Sequence, residues 1–261
     1  MHRQVTARGR GTGAPLILAL AFALVPSTAS PAGAQMLTED RIPTSGDDLI
    51  VHPVDHATFV MTWGPHPIYV DPVGGAAAFE GMPRPHVILV TDIHGDHLNV
   101  ETLTALATGP ARIIAPAAVA EQLPDELRGR TTVLANDQTM DFMGMSFEAV
   151  PMYNLTEDRL QYHSKGRGNG YVVTAGGARV YISGDTEDIP EMRALRDIDA
   201  AFVCFNLPYT MTPDQAASAV REFRPRVVYP YHYRGSDVEA FTSIVADASQ
   251  VRILDWYGSE N

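Results

Sequence analysis

Val87-Ile88-Leu89-Val90-Thr91-Asp92-Ile93-His94-Gly95-Asp96-His97 sets four metal-competent side chains within six residues, directly after an apolar run. The apolar run reads as a buried strand, so the polar residues fall at its end. On an extended backbone Asp92 and His94 alternate and point to the same side. Gly95 then permits a sharp turn that brings Asp96 and His97 round to a second point. That spacing suits two adjacent metal ions. A solvated polar turn is the alternative, but the helix-like segment Leu98 to Ala107 follows at once and leaves little room for one.

Outward from this stretch the chain reads as one α/β domain. Strands are expected at Leu49-Ile50-Val51-His52 and at Ala57 to Trp63, broken by Asp55-His56, and at Ile68-Tyr69-Val70, ending in Asp71-Pro72. Further strands are expected at Ile113-Ile114-Ala115, Thr131 to Leu134, Ser146 to Val150, Ala200 to Phe205, Val227-Val228-Tyr229 and Val251 to Leu254. Gly170 to Thr174 and Arg179 to Ser183 form a hairpin around Gly176-Gly177. Helices are expected from Pro116 to about Leu123, from Ile189 to Leu195 and from Asp237 to Ala246. Another starts at Thr212, with Pro213 in its first position and Ala216, Val220 and Phe223 on its buried face. Met36 to Asp48 is polar and turn-rich, a short extended lead-in. Strand-rich stretches in both halves, with helices to cover them, suit two sheets packed face to face with helices outside.

The N-terminus has its own logic. Arg3, Arg8 and Arg10 precede an apolar run from Ala14 to Val25, then Pro26 and the small residues Ser30 to Ala34. Basic, apolar and small-residue regions in that order describe a secretory signal peptide over residues 1–34, cleaved after Ala34, with the single mature domain over 35–261. About 12 apolar residues fall well short of the roughly 20 that a membrane-spanning helix needs, so no stable span is expected. The expected location is therefore the periplasm or the outside of the cell.

Composition narrows the function further. The 261 residues are 45% hydrophobic, enough for a sizeable core, and their formal net charge is −12. Removing the three arginines of the leader makes the chain more negative still, which repels nucleic acid and anionic membrane at long range. A small-molecule substrate is expected, and no nucleic-acid partner. The sequence leaves the oligomeric state open. Cys204 is the only cysteine; it sits in an apolar run with no base beside it, which marks a buried, inert thiol and excludes an internal disulfide.

Metal sites in layered α/β folds collect at loops just past strand ends, and three more residues occupy such places. Asp185 follows the strand ending at Ser183, with Gly184 permitting the turn. His232 follows Val228-Tyr229-Pro230-Tyr231, and His163 opens the glycine-rich loop His163 to Gly170. Singly each is weak. Together with the opening motif they offer four histidines and three aspartates, the complement of a two-metal hydrolase.

At these residues the sequence resembles the metallo-β-lactamase superfamily, over about Val51 to Asp255. Asp92-Ile93-His94-Gly95-Asp96-His97 matches its His-x-His-x-Asp-His signature except at the first position. His163 with the following Ser-Lys-Gly resembles its third-motif histidine, Ser183-Gly184-Asp185-Thr186 its bridging aspartate, and Tyr231-His232-Tyr233 its final histidine. Asp55-His56-Ala57 and Asp71-Pro72 resemble the start of the small single-domain branch that includes ascorbate-6-phosphate lactonase. The resemblance implies a four-layer αββα sandwich. It also implies two divalent metal ions, one taken by Asp92, His94 and His163, the other by Asp96, His97 and His232. Asp185 bridges them, and a shared hydroxide is the nucleophile. Asp96 and Asp185 are then the catalytic carboxylates. With Asp92 in place of a histidine, three carboxylates and the hydroxide cancel the two dications, which weakens Lewis acidity. The harder oxygen ligand also tilts the first position from zinc towards manganese or iron.

Secondary candidates carry alternatives. His56 either supports the metal loops through hydrogen bonds or is a turn histidine. Lys165 and Arg167 either hold a phosphate or carboxylate of the substrate or are simply solvated. Asn206 and Tyr209, just past a strand end, either line the pocket or pack. The function expected is an exported metal-dependent hydrolase of a small ester, lactone or phosphoester. The alternatives are a β-lactam hydrolase and a non-catalytic single-metal binding protein on the same fold.

Overall fold

The computed structural model describes residues 36–258 together with Met1, His2 and Gln4. Those three aside, the expected signal peptide lies outside the described residues. The first half of the chain makes one sheet, in the order β1 (Asp40–Ile42), β2 (Leu49–Asp55), β3 (Thr58–Trp63), β4 (His66–Val70), β5 (Val87–Leu89), β6 (Arg112–Ala115), β7 (Thr131–Val133). The second half makes another: β8 (Thr139–Phe142), β9 (Met145–Met152), β10 (Gly168–Ala175), β11 (Ala178–Ile182), β12 (Ala200–Cys204), β13 (Val227–Tyr231) and β14 (Gln250–Val251), again in chain order across the sheet. Each sheet is antiparallel through its first four strands and parallel through the rest.

Side-chain alternation sorts the first sheet into two faces. Phe59, Met61, Ile68, Val70, Val87, Leu89 and Ile114 join one core with residues of the second sheet. Val60, Tyr69, Ile88 and Ile113, each one residue away, point to the other side and meet Leu103, Val119 and Leu127. These last belong to α1 (Val100–Leu106), α2 (Ala117–Ala120) and α3 (Asp125–Arg128). Between the sheets Phe59 stacks on Phe202 at 4.3 Å, and Phe202 stacks in turn on Tyr229, its neighbour in the second sheet, at 4.9 Å. Beyond α4 (Pro190–Arg193), the second sheet's outer side is covered by α5 (Pro213–Phe223) and α6 (Val238–Val245). Tyr181 meets Phe223 edge-on at 6.0 Å, and Phe205 stacks on Phe241 at 4.8 Å. Helices, sheet, sheet and helices are thus the four layers expected.

Local signals set the element ends. Thr212 accepts from Gln215 N while the Gln215 side chain accepts from Thr212 N, a reciprocal cap that starts α5. Asn99 accepts from Thr102 N and Asp237 from Ala240 N, which start α1 and α6. Three expectations change. The helix expected from Pro116 to Leu123 is shorter, the four residues of α2 after Pro116, and a second four-residue helix, α3, follows Pro124. The lead-in contains β1, paired with β2. The stretch between the expected strands of the middle contains β8, a hairpin partner of β9.

Candidate metal centre

The parallel strands of both sheets end on the same side, and most of the candidate residues sit just past those ends, with His56 in the β2–β3 turn and His163 in the loop before β10. Thr91 and Asp92 follow β5, Asp185 follows β11, Asn206 follows β12 and His232 follows β13. The loop after Asp92 turns by donation from His97 N and Leu98 N to His94 O, at 3.0 and 2.8 Å. Gly95 does not adopt the left-handed conformation there, and a β-carbon on it would touch nothing. The turn thus comes from these hydrogen bonds rather than from glycine freedom. Gly184, by contrast, is left-handed at φ 60° and delivers Asp185.

Asp185 is the hub. Its Oδ2 lies 3.3 Å from His97 Nε2 and 3.3 Å from His163 Nε2, and its Oδ1 lies 3.4 Å from His232 Nε2. On one side Asp96 Oδ2 is 3.2 Å from His232 Nε2, and Asp96 Oδ1 is 3.8 Å from His97 Nε2. On the other, Asp92 Oδ2 is 2.8 Å from His94 Nδ1 and 3.9 Å from His163 Nε2. Three groups of ligand atoms, each within 4.8 Å of one another, result: His97, Asp185 and His232; Asp92, His94 and His163; and His56, Asp96 and His232. The seven residues of the opening motif and its later partners are therefore one cluster. His56 joins it, with its Nε2 3.7 Å from Asp96 Oδ2 and its ring over that of His232 at 3.8 Å. The cleft above has a volume of about 290 Å³ and is lined by His56, His94, Asp96, Tyr162, His163, Asp185, Asn206, Tyr209 and His232.

A family model described as a beta-lactamase superfamily domain matches residues 66–233. The chain belongs to the beta-lactamase superfamily. Among curated relatives, a metal-dependent hydrolase of Thermococcus onnurineus is 32% identical over 212 residues, covering 76% of this chain and 93% of the relative. Its counterpart in Pyrococcus abyssi is 30% identical over 213 residues, with the same coverage of 76% and 93%. Among solved structures, a metal-dependent hydrolase from Parabacteroides distasonis is 40% identical, with a TM-score of 0.77 over 84% of this chain and 100% of that one. A metallo hydrolase from Ignicoccus hospitalis, 19% identical with a TM-score of 0.67 over 79% of this chain and 95% of that one, shares the fold. Within the superfamily this chain is a metal-dependent hydrolase.

The beta-lactamase superfamily cluster fits metal ions on its own chemistry. His97 Nε2, His163 Nε2 and Asp185 Oδ1 are buried and have no hydrogen-bond partner, and buried polar atoms are seldom left so. The site is also short of positive charge. Burial disfavours a charged Asp185, yet the neighbouring His232 and His97 hold its carboxyl well below the usual range. Burial likewise disfavours a charged His97, yet Asp185 and Asp71 raise its pKa well above the ordinary value. A divalent cation beside Nε2 would answer the same carboxylates without a proton.

Asp71, which sequence reasoning gave no role, orients His97. It follows β4 directly, at a left-handed φ of 44°, and is fully buried. Its carboxylate accepts from Thr91 N at 2.7 Å, Thr91 Oγ1 at 2.7 Å and His97 Nδ1 at 2.8 Å. The proton on Nδ1 leaves the Nε2 lone pair facing the cluster. His56 and His232 are left-handed too, at φ 53° and 50°, so three non-glycine residues of this conformation gather at one site. The missed signal was available, because Asp71 follows an apolar strand just as Asp92 and Asp185 do. Glu187 was missed as well. It is fully buried, and its Oε2 accepts from Leu155 N, Thr156 N and Thr156 Oγ1. It thereby anchors the loop before His163.

The structure separates the two cations. Lys165 does not line the cleft; it pairs with Glu191 at 2.8 Å and lies over the Tyr153 ring. Arg167 does not line it either, and is bonded to Asp92. Asn206 and Tyr209 do line it, with Tyr209 edge-on to Tyr162 at 5.2 Å. Burial beside His232 drives the His56 pKa down to about 3, so its ring is neutral there.

Proposed function

We propose that the chain hydrolyses a small ester or lactone using two divalent metal ions. Asp92, His94 and His163 would hold one, Asp96, His97 and His232 the other, with Asp185 shared and His56 beside the second. The ions would be zinc, or manganese or iron at the position that includes Asp92. Bound there, they would supply a water acidic enough to ionise near neutral pH and a Lewis acid for the scissile carbonyl.

The observation that carries the choice of substrate is the make-up of the cleft wall. Among the described residues that line it there is no lysine or arginine. A phosphomonoester dianion would have only the metal ions to meet its charge, with no side-chain cation to hold its remaining oxygens. A neutral acyl group meets a better match, because Tyr162 and Tyr209 give an apolar wall and Asn206 a polar amide that can orient a carbonyl. Asp71 fixes the His97 ring throughout, and neutral His56 packs over His232.

Residues 1–34 support the further proposal that the hydrolase is exported. The net negative charge, which disfavours a polynucleotide, supports a small-molecule substrate.

Purified chain, stripped and reloaded separately with zinc, manganese and iron, tests this against esters, lactones, phosphomonoesters, phosphodiesters and a chromogenic cephalosporin. Turnover of an ester or lactone is expected. No turnover of any, or preference for a phosphomonoester or the cephalosporin, would sink the assignment. N-terminal sequencing of protein recovered from its native host tests export, with Gln35 as the expected first residue.

A further inference from the structure

Asp92 entered as a surplus negative charge, and the structure supplies its counterpart. Arg167 Nε donates to Asp92 Oδ1 at 3.1 Å and Nη2 to Oδ2 at 2.9 Å, a two-pronged pair. Asp92 is wholly buried and the Arg167 side chain is 18% exposed. Nη2 also donates to the Tyr162 carbonyl, which fixes the plane of the guanidinium. The backbone builds this meeting. A β-carbon at Gly168 would lie 2.9 Å from Thr91 O and 2.2 Å from Met152 Cε, so only glycine lets β10 approach so closely. Asn169 N donates to Thr91 O at 2.9 Å and fastens the two sheets there. Asp92 follows Thr91, Arg167 precedes Gly168, and the two side chains are thereby opposed.

We propose that Asp92 and Arg167 act as one neutral unit where the superfamily signature has a histidine, with Arg167 the positioning residue that keeps the first metal position able to hold a divalent cation. This rests on the two-metal reading above. The guanidinium takes Oδ1 and one side of Oδ2, and leaves the other side of Oδ2 facing His94 Nδ1 at 2.8 Å. Asp92 is thus a single-oxygen donor whose charge is offset from behind, much as an imidazole is a neutral single-nitrogen donor. The cancellation of charge expected from Asp92 alone does not arise, because Arg167 restores one positive charge to the cluster. A lysine is a point charge without the planar fork, so it could offset the charge but not hold both oxygens.

Metal stoichiometry and affinity, read by elemental analysis and chelator competition with zinc alone, test this in the full chain. Two equivalents are expected for the wild type. R167M is expected to weaken one equivalent by about tenfold or more while sparing the other. D92H is expected to weaken the same equivalent, because it leaves a partly buried guanidinium unpaired beside a dication. The double substitution D92H/R167M is expected to regain two tight equivalents. Should R167M not fold, R167K carries the test, with a several-fold weakening expected. Unchanged affinity in R167M, or in R167K, would overturn the inference. So would a double variant no tighter than the single ones, a wild type with one equivalent that gains a second in R167M, or one equivalent in every variant. Ester turnover plays no part in this readout, so the hydrolytic assignment stands or falls separately.

Discussion

The two sides of the cluster are backed by opposite charges. Behind His97 stands a carboxylate, Asp71, wholly buried and accepting three hydrogen bonds. Behind Asp92 stands a guanidinium, Arg167, donating two to that carboxylate. With metals bound, an anion would steady a neutral ligand in one case and a cation a charged one in the other. The ligand that faces the metal position is therefore only half of each device. The backing residue decides which ring nitrogen or carboxylate oxygen is offered and how much charge comes with it. Asp185, between the two sides, belongs to both.

Breaking the shared member should do most. Asp185→Asn removes the negative charge that His97, His163 and His232 all face. Loss of several kcal/mol of metal-dependent stabilisation corresponds to roughly a 10³-fold fall in kcat/KM. Metal content should fall on both sides at once. A variant that kept two equivalents would show that Asp185 is not shared.

Asp71→Asn separates the two sides. An amide can still accept from Thr91, but it no longer draws the His97 Nδ1 proton as a carboxylate does. The equivalent held by His97 should weaken by about 10- to 100-fold, while the one held by Asp92, His94 and His163 keeps its affinity. Chelator competition reads the two separately, and equal weakening of both would erase the comparison.

How much of this was legible in the sequence follows from the physics of each signal. Apolar runs, together with Thr212-Pro213 at the start of α5, marked most elements, because those signals are local. β8 escaped because its turn is Met143-Gly144, both left-handed at φ 52° and 76°. Methionine there lacks the asparagine or aspartate that usually marks such a turn. β1 carries one apolar residue in three and is held by antiparallel pairing to β2, which its own composition does not announce. Most ligands were legible because they follow a strand end, and Asp71 fits that rule as well as Asp185 does; His163 stands apart, in the glycine-rich loop before β10. Arg167 was visible as a residue but not as a partner. It lies 75 positions from Asp92 in the chain, and only the contact of β10 with Thr91 brings them together.

Lys165 shows the limit of that kind of reading most sharply. In the sequence it and Arg167 are equivalent, two cations flanking Gly166 in one loop, and both were candidates for holding an anionic substrate. Gly166 is left-handed at φ 85°, and Arg167 N closes the turn on Ser164 O at 3.2 Å. The two cations reach different partners. Lys165 remains 61% exposed and meets Glu191 and Tyr153 on the outside, an ion pair of the kind that contributes little in water. Lys165→Met should therefore leave zinc stoichiometry at the wild-type value and change kcat/KM for a neutral ester by less than about twofold, as for most surface substitutions away from a site. It is the smallest effect expected and the cleanest control, since it removes one positive charge from the same loop as R167M. A fall in metal affinity in Lys165→Met as large as in R167M would mean that the loop acts through its general positive charge. The pairing of one guanidinium with one carboxylate would then explain nothing that a diffuse field could not.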